Sequence, residues 1–204
     1  MIPHAHAISV FWTWFRTNDA KLKAMPNADH PYWDTVLSQL KEVHPGLWFE
    51  MSDEMSGHRE FVITAEGDPK LFPLVDAMVA AAPTTGTWVF VALKPAMGFD
   101  FVTTYEGVVF DSKSLWFLPL DSSADSSNLG LRIGIPGLND EMRRVAGNAV
   151  MVILDTGLGE RSSAMDVQHV EFAELPSQPE KEGYIELPDL PAYIAWRKRK
   201  LAKG

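Results

Sequence analysis

Residues 60–95 read EFVITAEGDPKLFPLVDAMVAAAPTTGTWVFVALKP, a strand, a helix and a second strand in one passage. Phe61, Ile63 and Ala65 alternate with Val62 and Thr64, the two-residue period of a strand, and Gly67 with Asp68-Pro69 breaks it. Leu71, Val75, Met78 and Ala82 then recur at helical spacing. Pro83 ends that run because it has no amide hydrogen and disfavours helix in the residue before it. From Trp88 to Leu93 both alternating sets are apolar, so the strand is expected centrally, covered on both sides.

Outward from this passage the chain alternates helices and short strands. A helix over 8–25 is aromatic in its first half, with Phe11, Trp12, Trp14 and Phe15. Trp12 lies well round from the face shared by Phe11 and Leu22, so the segment is either deeply buried or exposes an aromatic patch. Pro26, Asn27 and Pro31 mark a loop, and a second helix follows over 32–43, stopped by Pro45-Gly46. A short strand over 47–51 turns through 52–57 and returns from Arg59 or Glu60 as an antiparallel hairpin.

Beyond Pro95, residues 101–110 read as one or two extended pieces around Gly107, and 115–118 as a strand. DSSADSSN (121–128) is a surface loop by composition. In 129–135 Leu, Leu, Ile and Ile alternate with Gly130, Arg132 and Gly134, a strand apolar on one side. Asn139 with Asp140 and Glu141 opens a helix that should end near Gly157 or Gly159, although Val150–Leu154 also fits a buried strand. Val167–Phe172 is a strand, 178–183 a polar linker, and 190–201 an amphipathic helix.

The passage 47–93 and the passage 115–172 therefore share one order, β-β-α-β, with Gly67 or Gly137 between the second strand and the helix. The expectation is a single α+β domain over 1–204. It would have one mixed, mainly antiparallel sheet built from the two units, helices packed on it, an N-terminal helical pair and a C-terminal helix.

With 204 residues and 46% hydrophobic composition, the chain can bury a core without staples. It has no cysteine, which excludes disulfides, thiolate metal sites and cysteine nucleophiles. No apolar run approaches the ~20 residues of a membrane span, and the start has neither a basic region nor a cleavage site. A soluble, cytoplasmic protein is expected. Setting aside Arg197, Lys198, Arg199, Lys200 and Lys203 from a net charge of −9 leaves −14 on the body. An acidic body argues against nucleic acid, and the basic end reads as a solvated last helical turn.

The motifs FWTWFRTN (11–18), FVITAEG (61–67), AAPTTGTW (81–88), ALKPA (92–96), LDTGLGE (154–160) and IAWRKRK (194–200) together resemble a family of uncharacterised bacterial proteins, a domain of unknown function. The resemblance spans nearly the whole chain. It implies no activity, ligand or catalytic residue.

Chemistry has to come from the residues themselves. There is no G-x-S-x-G, no S-x-x-K and no phosphate loop, since GLGE (157–160) reads as a helix stop. Asp155 and Glu160 flank that stop as candidate acid and base, with Arg59, Lys94 or Arg132 as compensating cations. Lys94 draws attention because it leaves an apolar strand just before Pro95. His169 and Glu171 share one side of a strand and suggest a structural pair. His4 and His6 make a weak ligand pair, so neither metal nor cofactor is expected.

Three classes remain. A binding or interaction module for a small molecule or protein partner fits best, with Trp12, Arg16, Asn18, Lys94 and Glu160 as candidate ligand-binding residues. The alternative is a hydrolase or isomerase using Glu160, Asp155 and Lys94, with Arg16 as a further cation. The third is a purely structural or oligomerising protein, with a homo-oligomer as its assembly.

Overall fold

The computed structural model describes residues 4–25, 32–52, 57–120 and 129–202. The expected loops at 26–31 and 121–128, most of the 52–57 turn, His30 and Lys203 lie outside the described residues. The fold is α+β. The chain divides into two compact units, Met1–Pro95 and Ala96–Gly204.

The first unit begins with helices α1 (Ala5–Lys23) and α2 (Tyr32–Lys41), then strands β1 (Trp48–Met51) and β2 (Arg59–Thr64), helix α3 (Phe72–Ala80) and strand β3 (Trp88–Ala92). β1 pairs antiparallel with β2, and β2 pairs parallel with β3 through the α3 crossover. Side-chain alternation places Phe49, Phe61, Ile63, Trp88 and Phe90 on one face. Phe15 of α1 lies 5.3 Å from Phe61, 5.3 Å from Trp88 and 5.4 Å from Phe90, and Trp12 lies 4.7 Å from Phe90. All four pairs meet edge to face, the arrangement in which a ring's positive rim meets its neighbour's negative face. The aromatic start of α1 is core.

Arg59 closes this core at its end. It is 6% exposed, and its Nη1 donates to the carbonyls of Met25 (3.0 Å) and Leu22 (3.4 Å) just past the end of α1 and in its last turn. A cation there supplies charged donors to carbonyls at the helix end and answers the negative end of the helix dipole. Its guanidinium also lies 5.9 Å from the Trp33 ring and 5.8 Å from that of Trp88.

The expected central place of 88–93 is corrected. β2 is central and β3 is an edge, with Val89 43% exposed. An all-apolar strand needs both faces dry only when neighbours cover both, and a single exposed valine costs little.

In the second unit a hairpin of β4 (Val102–Tyr105) and β5 (Val108–Asp111) stands alone. Its turn, Glu106-Gly107, has φ 47 and 83, and two positive φ values are what a tight two-residue hairpin requires. Then come β6 (Trp116–Leu120), β7 (Gly130–Ile135), α4 (Asp140–Leu158), α5 (Glu160–Asp166), β8 (His169–Glu174), β9 (Ile185–Glu186) and α6 (Leu190–Leu201). The sheet order is β8-β7-β6-β9, with β6 antiparallel to β7 and β7 parallel to β8. Both units thus follow the β-β-α-β order with the same sense at each pairing, the second with α5 added between α4 and β8.

Leu131, Ile133 and Ile135 belong to one core with Val145, Ala149 and Ile153 of α4. Asn139 caps α4, its side chain accepting from the Met142 N–H at 2.9 Å. Residues 150–154 are therefore helix. Among the described residues the strands make three separate sheets in place of the expected single one, because no strand of 48–92 pairs with a strand beyond Pro95. Among the described residues, no helix is long and apolar enough to cross a membrane.

Candidate functional site

The residues singled out from the sequence fall in several places. Trp12 is 4% exposed, and its indole N–H donates to the Met78 carbonyl of α3 at 2.8 Å. It is not a free aromatic surface. One side of it nevertheless floors a cleft of about 280 Å³ whose walls include Ile8, Thr13, Arg16 and Pro83. Arg16 is exposed at its rim, and no described hydrogen bond or ion pair engages it.

Asn18 lies round the same helix in a neighbouring cleft of about 400 Å³ with Val10, Trp14 and Thr17. Its amide is committed: Nδ2 donates to the Trp14 carbonyl at 2.8 Å and Oδ1 accepts from the Tyr32 hydroxyl at 2.9 Å. Asn18 ties α2 to α1. Lys94 follows Leu93, which is buried at φ 64, and its ammonium sits 3.1 Å from Glu66 and 3.4 Å from Glu50. That trio belongs wholly to the first unit.

Glu160 and Asp155 belong to the second. α4 ends at Gly159, whose φ of 75 and ψ of 154 permit an abrupt change of direction, and α5 starts at once. Glu160 therefore opens the first turn of a new helix, where a carboxylate complements the dipole, instead of trailing an old one. It is fully buried. Asp155 is half-buried near the end of α4, and both carboxylates have interaction partners.

The three cations proposed as their compensation are accounted for locally. Arg59 caps α1, Lys94 pairs with Glu50 and Glu66, and the Nε of Arg132 bonds the Glu171 carboxylate across β7 and β8. That hydrogen bond is the largest cause holding the Glu171 carboxyl below the usual carboxylate range; it also raises Arg132. His169 stands 3.8 Å from Glu171 on its other oxygen. His4 meets His44 edge-on at 5.9 Å. Among the described residues, no cluster of three or more histidine and carboxylate side chains is placed to hold a metal ion.

One feature was not legible in the sequence. Trp33 of α2 lies beside β1, where it lines a cleft of about 310 Å³ with Phe49, Glu50 and Met51. Its indole N–H is buried and has no hydrogen-bond partner. A tryptophan at helical spacing reads as core, and nothing in sequence tells whether its one donor is met.

Comparison with protein-family models, with curated proteins and with solved structures gave no match.

Proposed function

We propose that this chain is a soluble, cytoplasmic binding module for a small molecule or protein partner, and that α1 carries the recognition surface. The observation behind this reading is the pairing of Arg16 with the Trp12 cleft: an exposed guanidinium without a described partner, above an apolar floor. Recognition sites commonly combine an apolar wall with a few placed polar groups. A carboxylate-bearing compound is the natural complement, because a guanidinium fork grips a carboxylate bidentately. The acidic balance of the chain speaks against nucleic acid. The resemblance to a family of uncharacterised bacterial proteins belongs to the same reading.

A hydrolase or isomerase is less well supported. Glu160 has no exposed surface, and the Lys94 ammonium is engaged by the Glu50 and Glu66 carboxylates. Native mass spectrometry of the purified protein tests the proposal. A co-purifying mass that is lost in Arg16→Ala, with the unfolding midpoint unchanged, supports it; retention of that mass in Arg16→Ala overturns the assignment to α1.

A further inference from the structure

The edge of β1 offers a second recognition device, independent of the α1 cleft. The Ser52 N–H donates to the Glu60 carbonyl at 3.1 Å, and the β1–β2 register continues as Glu50 opposite Val62 and Trp48 opposite Thr64. In an antiparallel pair, bonded and non-bonded positions alternate. Phe49 and Met51 are therefore the non-bonded residues, and their N–H and C=O groups point away from β2. Among the described residues no strand pairs with β1 on that side, and no hydrogen bond reaches those groups there.

Three further facts bear on the same edge. The cleft of about 310 Å³ lies along it, lined by Phe49, Glu50 and Met51. Trp33, 7% exposed, also lines that cleft and has an indole N–H without an acceptor. A buried donor left unpaired is costly, so a group that supplies an oxygen there gains what the free protein forgoes. Alternation along β1 puts Phe49 and Met51 on the side of Trp33 and puts Trp48 and Glu50 on the other. Glu50 is 56% exposed; Lys94 is shared between it and Glu66, so the trio is net negative. The Trp48 ring already carries a cation, the Lys41 ammonium, 3.8 Å from its centroid.

We propose that the free edge of β1 and the Trp33 cleft bind an extended peptide by strand addition. The peptide's apolar side chains face Trp33, Phe49 and Met51, and a lysine or arginine lies beside Glu50. The backbone of the peptide pairs with Phe49 and Met51, and an oxygen of the peptide accepts from the Trp33 indole. Main-chain bonds supply affinity in such a mode, and alternate side chains supply selectivity. The charge of Glu50, on a chain of net charge −9, chooses a basic segment over an acidic one.

The test titrates the isotope-labelled protein with a blocked heptapeptide of alternating lysine and valine, followed by amide and indole NMR signals. The Trp33 indole and the Phe49 and Met51 amides are expected to move together and saturate. N-methylation of alternate peptide amides should weaken binding at least about tenfold, and Trp33→Phe, which keeps an aromatic ring and removes the indole donor, about tenfold. Glu50→Gln should narrow the preference over the glutamate-valine counterpart, whereas Arg16→Ala should change nothing, which separates this site from the α1 cleft. The proposal fails if the Trp33 signal stays fixed at millimolar peptide or if the N-methylated peptide binds equally well. It also fails if those amides shift with protein concentration alone, which would assign the edge to a second copy of the chain.

Discussion

The ring of Phe99 occupies the space that a side chain on Gly157 would need: a Cβ built there would stand 2.2 Å from Cε1 of the ring. The two segments are also tied by backbone bonds, Met97 N–H to the Thr156 carbonyl at 3.0 Å and Gly98 N–H to that of Gly157 at 3.1 Å. Those carbonyls belong to the last turn of α4, where no intrahelical donor remains. Gly157→Ala should therefore lower stability by about 1–3 kcal/mol, the range for overpacking a filled core. Denaturant unfolding checks it, and Phe99→Leu in the same background should recover part of the loss. A neutral Gly157→Ala would mean that the contact yields.

Gly159 acts by conformation. Its φ of 75 and ψ of 154 lie where a side chain clashes with its own backbone, and the turn there lets α5 start directly after α4. Gly159→Ala is expected to cost about 1–3 kcal/mol. The loss should appear in hydrogen exchange as faster opening of α5, with β7 still protected.

Arg59 is a buried cation whose donors face carbonyls at the end of α1. Removing it takes the charged donor from the Met25 and Leu22 carbonyls, of which that of Leu22 keeps the Met25 N–H, and empties the space between Trp33 and Trp88. Arg59→Met keeps much of the volume and removes the donors, so its cost, expected at about 2–4 kcal/mol, reports the lost hydrogen bonds to a charged group. Arg59→Lys should recover only part, because one ammonium cannot reproduce the planar spread of donors. Equal stability of Arg59→Met and wild type would show that packing alone holds the end of α1.

Much of this fold was legible because its signals are local. The alternation of Phe61 and Ile63, the stop at Pro83, the Asn139 cap and the glycine break after α4 each depend on neighbours in sequence, and the α+β class follows from their order. What was not legible depends on partners distant in the chain. Periodicity gave the angle of Trp12 round its helix, but not that the Met78 carbonyl waits there. Two apolar faces made β3 look central, since sequence does not count neighbouring strands. Gly157 read only as part of a helix stop, because its reason is Phe99. The candidate site was less legible: residue type alone pointed to Lys94, Asp155 and Glu160, but not to the Glu50 and Glu66 carboxylates beside Lys94 or to the full burial of Glu160. The β1 edge escaped notice because an unpaired strand side and an unmet indole N–H leave no mark in residue type.

The Arg132–Glu171 pair predicts how stability should change in acid. The hydrogen bond from Arg132 holds the Glu171 carboxyl below its ordinary range, and His169 adds a smaller lowering. A carboxyl with a depressed folded value stabilises the fold above its unfolded value, near 4.3 for a glutamate, and that contribution disappears as pH falls through the folded value. Both side chains are about two-fifths exposed, so solvent screens the pair and the effect should be modest. Glu171→Gln removes the titrating group and retains an acceptor for Arg132. The variant should be less stable than wild type at pH near 7, and the two should converge as pH falls through the lowered folded value of Glu171. Denaturation midpoints across that range measure it. A gap that stays constant, or that widens toward acid, would show that the ionised carboxylate is not what Arg132 holds in the folded protein.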